Sequence, residues 1–285
     1  MGEIVVGVVG LGTMGSGIAQ LVAQAGFPVR AVELNQEALG RGLNRIREGL
    51  DKILKKGKID RDQMEATLCR IQGSPNMEDA LEDCSLVIEA IFEKIGAKKD
   101  LFAELDRVCS PSTILASNTS TLSVTGIASA TKRPDRVLGT HFLYPAPAIA
   151  LVELVRGQET SDQTVRWVDE WLRKCGKDVV VVKDAPGFAI NRLFIPFINE
   201  AFFALQEGIA TAEEIDRACK IGLAHPSGPF TAADAFGLDI ILDVMRILHE
   251  ELGDKYRPAP LLVKLVEAGR LGRKTGAGVF TYARP

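Results

Sequence analysis

"EIVVGVVGLGTMGSGIAQLVAQAG", residues 3–26, decides how this chain begins to fold. After Glu3 comes a nearly unbroken run of β-branched and small apolar residues, the composition of a strand covered on both faces. "MGSGIAQLVAQAG" then carries helical spacing and stops at Gly26, so the stretch reads strand, turn, helix. The turn is "GLGTMG", a G-x-G-x-x-G match from Gly10 to Gly15. In this setting Gly10 allows a tight turn and Gly12 lets backbone approach a pyrophosphate. Gly15 permits close helix packing, with the helix N-terminus turned to the phosphates. Gly10, Gly12, Thr13, Met14 and Gly15 are therefore the expected dinucleotide-binding positions. Glu33 ends the next strand-like segment, "PVRAVE", at the distance where an acid accepts hydrogen bonds from the adenosine ribose and repels a 2′-phosphate. The cofactor expected is NAD, with Arg30 as the nearby residue that could favour NADP.

Outward from this unit, Asn35 is placed to cap a helix over residues 36 to about 57, with Leu39, Leu43, Ile46, Leu50 and Ile53 at three- and four-residue steps. Strand-like "SLVIEA", "TILAS" and "RVLGTHF" alternate with helix-like "AKKDLFAELDRVC" and "SVTGIASA", the pattern of a mainly parallel, doubly wound α/β sheet. "LVELVRG", a helix capped by Ser161, and "DVVVVK" extend it. "DAPGF", residues 184–188, breaks the pattern. Beyond Phe188 no segment reads as a strand: a long apolar helix containing Pro196 is followed by one opening with a capping box, Thr211 to Glu214. The expected organisation is a Rossmann-like domain over 1–184 and a smaller all-helical domain over 185–285. Phe194, Phe197, Phe202 and Phe203 suggest more apolar surface than the helical domain absorbs alone, and hence a homodimer.

The chain's 285 residues suffice for two domains, and a net charge of −3 with scattered lysines and arginines gives no footprint for nucleic acid. Five cysteines, none in a C-x-x-C pair, argue against a disulfide framework and a structural zinc. The apolar N-terminus lacks a basic leader segment and is broken by glycines. A cytoplasmic protein without membrane spans or metal is expected.

Hydride chemistry on an alcohol needs a base for the hydroxyl proton. No Cys/His set has zinc-ligand spacing, and none of Tyr144, Tyr256 and Tyr282 has a lysine four residues on. Of three histidines, His225 precedes a proline in a loop and His249 sits beside two glutamates. His141 ends a strand-like segment, where loops line the ligand crevice of such sheets. Twelve residues on, Glu153 interrupts the apolar "ALVELV", and a carboxylate on a buried strand needs a partner. A His141–Glu153 pair is either a proton-transfer device or a buried structural hydrogen bond.

These segments, in order "GLGTMGSGIAQ", "IFEKIGAKKDLFAEL", "ASNTSTLSVTGIA", "GTHFLYPAP", "VELVRG", "PGFAINRL", "HPSGPFTAADAFGLD" and "LGRKTGAGVFTY", resemble the NAD-dependent (S)-3-hydroxyacyl-CoA dehydrogenases, in particular their short bacterial 3-hydroxybutyryl-CoA type, nearly end to end. The resemblance implies that His141 is the general base and Glu153 its orienter. It implies that Ser117 and Asn191 hydrogen-bond the reacting hydroxyl or the thioester carbonyl, that Glu93 and Lys98 contact the cofactor, and that Asn118 lies on its nicotinamide side. Lys56 falls where the family binds CoA, although a solvated lysine run reads the same way. The chain departs from the family at "HFLYP", where Leu143 and Tyr144 replace an aromatic and a substrate-holding asparagine, and at "HPSGP", where Ser227 replaces methionine. Tyr144 either points into the acyl pocket and shortens it, or turns outward and packs beside Pro145. Two alternatives are a dehydrogenase of a 3-hydroxy acid lacking CoA and a non-enzymatic NAD-binding protein.

Overall fold

The computed structural model describes residues 3–282; residues 1–2 and 283–285, the outer ends of the two expected domains, lie outside the described residues. The chain divides into two compact units, Met1–Asp184 and Ala185–Pro285.

The first unit runs β1 (Val6–Val9), α1 (Thr13–Gln24), β2 (Val29–Val32), α2 (Gln36–Lys55), α3 (Arg61–Cys69), β3 (Ile71–Ser74), α4 (Met77–Leu81), β4 (Leu86–Glu89), α5 (Ile95–Val108), β5 (Ile114–Ser117), α6 (Val124–Ala128), β6 (Val137–Phe142), β7 (Leu151–Arg156), α7 (Asp162–Lys174) and β8 (Asp178–Lys183). Its sheet has eight strands in the order β3-β2-β1-β4-β5-β6-β7-β8. Neighbours are parallel except β6 and β7, which are antiparallel. The order reverses between β1 and β4, the switch point at which doubly wound sheets open a crevice beyond the strand C-termini. Alternate residues of the central strands feed opposite faces: Val8, Ile88 and Ala116 enter one apolar cluster, Val9, Val87 and Leu115 another. Those strands are therefore apolar up to their C-terminal residues, where β4 ends in Glu89 and β5 in Ser117.

The helix ends follow their capping chemistry. Asn35 accepts from the Ala38 N–H and Ser161 from Thr164, and Thr211 with Glu214 forms a complete capping box. The second unit contains α8 (Ile190–Gln206), α9 (Ala212–Gly222), α10 (Pro229–Phe236), α11 (Leu238–Leu252) and α12 (Pro260–Glu267), with no strand beyond isolated bridges at Gly272, Ala277 and Thr281 among its described residues. Phe202 is fully buried against Phe230, ring centroids 5.1 Å apart, and Phe194, Phe197 and Phe203 pack partly buried on the same core. The large apolar side chains exposed among the described residues of this unit are Leu193, Ile209, Ile221, Leu223, Phe236, Ile240 and Leu252. No helix among the described residues is long and apolar enough to cross a membrane.

Candidate active site

The glycine turn sits at the switch point. Gly10 adopts a φ of +87°, and a Cβ on Gly15 would lie 1.7 Å from the Gly10 carbonyl oxygen. Both positions are therefore glycine for steric reasons. Gly12 differs: a Cβ there would meet no protein atom within 4 Å, and Gly12 lines a cleft of about 940 Å³. Gly12 is also the N-cap of α1, whose first turn carries no acidic residue to offset the positive end of the helix. Thr13 is exposed and Met14 half-buried in that turn. The cleft continues past Glu33, Pro75 and Met77 on one side and Ala90, Ile91 and Leu101 on the other. An open, backbone-rich floor at a helix N-terminus with an acid at the end of β2 fits a dinucleotide.

Glu33 is occupied within the protein as well. Its Oε1 accepts from the Leu11 N–H at 2.7 Å and its Oε2 from Leu34 at 3.1 Å, so it braces the glycine turn. Arg30 is engaged elsewhere, hydrogen-bonded to Gln72 and 3.7 Å from Asp83.

The chemistry-bearing residues collect at the C-terminal ends of β4, β5 and β6. His141 pairs directly with Glu153 across the antiparallel β6–β7 ladder, with Nδ1 and Oε2 2.7 Å apart, Glu153 fully buried and His141 5% exposed. Directly opposed side chains share a face, which is why twelve residues of separation end in contact. Asn118, just past β5, accepts from the Phe142 N–H at 3.1 Å and so fixes the backbone beside His141.

Ser117 stands opposite Glu89 in the β4–β5 register, and its hydroxyl donates to Glu89 Oε2 at 2.7 Å. Glu89 Oε1 accepts from Lys98 Nζ at 2.5 Å and from the Ile91 N–H at 2.7 Å. Lys98 also lies 3.3 Å from Glu93, whose other oxygen holds Thr119 Oγ1 and the N–H groups of Ser120 and Thr121. Glu89, Lys98 and Ser117 have no exposed surface. Sequence reasoning missed Glu89. The available signal was a carboxylate closing the apolar strand "SLVIE", the same signal that marked Glu153.

Lys56 follows α2 as an exposed residue. Tyr144 is 63% exposed and precedes Pro145 through a cis peptide bond. Asn191 occupies the first turn of α8 in the second unit.

Comparison with known proteins shows the family. The family described as "3-hydroxyacyl-CoA dehydrogenase, NAD binding domain" matches residues 5–185, and "3-hydroxyacyl-CoA dehydrogenase, C-terminal domain" matches residues 187–282. A probable 3-hydroxybutyryl-CoA dehydrogenase of Bacillus subtilis is 49% identical over 276 residues, 96% of each chain. The 3-hydroxybutyryl-CoA dehydrogenase of Bradyrhizobium diazoefficiens is 46% identical, covering 97% of this chain and 94% of its own. The crystal structure of (S)-3-hydroxybutyryl-CoA dehydrogenase from Ralstonia eutropha superposes with a TM-score of 0.96 at 44% identity, covering 99% of this chain and all of that one. The chain belongs to the 3-hydroxyacyl-CoA dehydrogenase family, and is an NAD-dependent oxidoreductase of that family.

Proposed function

We propose that the chain interconverts (S)-3-hydroxyacyl-CoA and 3-ketoacyl-CoA, with 3-hydroxybutyryl-CoA as its substrate, and that His141 and Glu153 move the proton. The observation that carries this reading is the buried 2.7 Å contact between His141 Nδ1 and Glu153 Oε2. With Nδ1 committed to the carboxylate, Nε2 is the nitrogen that takes the hydroxyl proton, and Glu153 stabilises the resulting imidazolium. NAD, when bound, supplies the acceptor for the hydride leaving C3. Gly10, Gly12, Thr13, Met14, Gly15 and Glu33 would hold it along the cleft, with Glu93, Lys98 and Asn118 toward its reactive end. Ser117 and Asn191 serve the reacting end of the site, and Lys56 binds the CoA portion of the substrate. Tyr144, larger than the family's asparagine, restricts the acyl group to about four carbons.

The same reading includes a homodimer through the helical unit, supported by exposed Leu193, Ile209, Ile221 and Leu223, and a cytoplasmic location, supported by five free cysteines. A monomer by light scattering at micromolar concentration would remove the dimer.

The test is NADH oxidation with acetoacetyl-CoA, longer 3-ketoacyl-CoA esters and free acetoacetate. Turnover is expected with the CoA esters, fastest at four carbons. His141→Ala should lose about 10²–10⁴-fold in kcat while NADH affinity stays within about twofold, since a general base is not needed to bind dinucleotide. Turnover of the free acid alone, or a His141→Ala enzyme at wild-type rate, would sink the reading.

A further inference from the structure

Glu89 is a buried carboxylate that the proposed chemistry does not use, yet it touches both halves of the site. Its Oε1 accepts from Lys98 and Ile91, and its Oε2 accepts from Ser117. A fully buried carboxylate is tolerated as an anion only when its lone pairs and charge are met, and Lys98 meets the charge. An ionised carboxylate has no hydrogen to give. The hydrogen in the 2.7 Å Ser117–Glu89 bond is therefore the serine's own, and the oxygen of Ser117 is left with lone pairs only. We infer that Glu89 is a positioning residue, which fixes Ser117 as a hydrogen-bond acceptor for an O–H or N–H of the bound ligands. Resting on the acyl-CoA dehydrogenase reading, this excludes as donors to Ser117 both the thioester carbonyl, which has no hydrogen, and the reacting hydroxyl, whose single hydrogen goes to His141, so Ser117 accepts from an O–H or N–H of the cofactor at the reacting end. The register enforces the arrangement, because Glu89 and Ser117 are direct partners on adjacent parallel strands and their side chains leave the sheet on the same face. Through Lys98, which also contacts Glu93, the orientation of Ser117 is tied to the loop at residues 119–121 that Glu93 holds.

The experiment is a double-mutant cycle of Glu89→Gln with Ser117→Ala, reading kcat/KM for acetoacetyl-CoA at saturating NADH and Tm for every variant. Misorienting a group at the reacting centre lowers rates by up to about a hundredfold. Glu89→Gln should thus reduce kcat/KM by about ten- to a hundredfold when Ser117 is present and by less than about threefold when it is Ala, with the same shift in Tm in both backgrounds. An equal fold-loss in both backgrounds, or a wild-type kcat/KM for Glu89→Gln, overturns the proposal. Should Glu89→Gln fail to fold beside an unneutralised Lys98, the cycle is run with Glu89→Gln/Lys98→Met against Lys98→Met, and the same two outcomes decide. Absence of acetoacetyl-CoA turnover in the unmodified enzyme would overturn the parent reading with it. Loss of activity in His141→Ala with multiplicative Glu89 and Ser117 effects would overturn this proposal alone.

Discussion

Two glycines of one turn are required for different reasons, and the difference is measurable. A methyl group at Gly15 would be driven into the Gly10 carbonyl oxygen, 1.7 Å away, so the helix–strand junction must shift. At Gly12 an added Cβ meets nothing within 4 Å and projects where the cleft is open. Gly15→Ala should lower Tm by several degrees and abolish NADH binding, as expected for a steric clash in a packed junction. Gly12→Ala should keep the wild-type Tm and weaken NADH binding by about tenfold or more, because only the ligand competes for that space. Thermal melts with NADH fluorescence titrations decide the matter, and a Gly12→Ala protein with unchanged NADH affinity would take the phosphates away from this turn. At this scale the motif was legible from its place between a strand and a helix, and the contact of His141 with Glu153 from the carboxylate in an apolar strand, which advertises an unseen partner. Glu89 sent the same signal and was overlooked. Ser117 lies 28 residues away, and only the pairing register shows that the two are neighbours.

Among the elements, those with strong periodicity or caps were readable and those held by tertiary context were not. The β3 strand, "IQGS", is a short edge strand with no apolar alternation, and it exists because β2 offers it a parallel ladder. Helix α3 has a capping box at Asp60 and Gln63 that the sequence displays, yet it is only nine residues long. The antiparallel direction of β7 is set by its short connection from β6, which cannot accommodate the crossover that a parallel neighbour needs. In the second unit, a single carboxylate on α10 does the work of a ladder. Asp234, 1% exposed, accepts from the N–H groups of Val279 and Phe280 and from the Tyr282 hydroxyl, and so anchors the segment after α12. Asp234→Ala leaves at least two partly buried N–H groups unmet, each costing about 1–3 kcal/mol, for a destabilisation of about 2–6 kcal/mol. Faster carboxypeptidase trimming and a lowered Tm are the expected readouts, and an unchanged trimming rate would show that the segment is held by other contacts.

At the scale of the whole molecule each unit has its own apolar core, so unfolding need not be a single step, and an ionisable group reports on the unit that buries it. Cys84, Cys109 and Cys175 all lie in the first unit and are buried. Burial pushes the thiols of Cys84 and Cys175 up to about 12 and that of Cys109 up to about 11, from an ordinary value of 9.0. A raised folded-state value means that the unfolded chain loses its protons first as pH rises. Below pH 9 both states hold the protons and the full stability of the unit is present. Between pH 9 and about 11–12 the unfolded state alone ionises, and stability is lost at up to about 1.4 kcal/mol per pH unit for each thiol. Three thiols acting together should make the urea midpoint of the first unit fall steeply from pH 9 to 10.5, while a Cys84→Ala/Cys109→Ala/Cys175→Ala variant, weaker at pH 8, should show a flatter decline. The same burial predicts that at pH 8 a thiol reagent modifies exposed Cys69 within minutes and reaches the three buried cysteines only on unfolding. Parallel alkaline declines in the two proteins would assign the loss to other groups, and rapid native-state labelling of Cys84 would mean that the sheet opens locally without global unfolding.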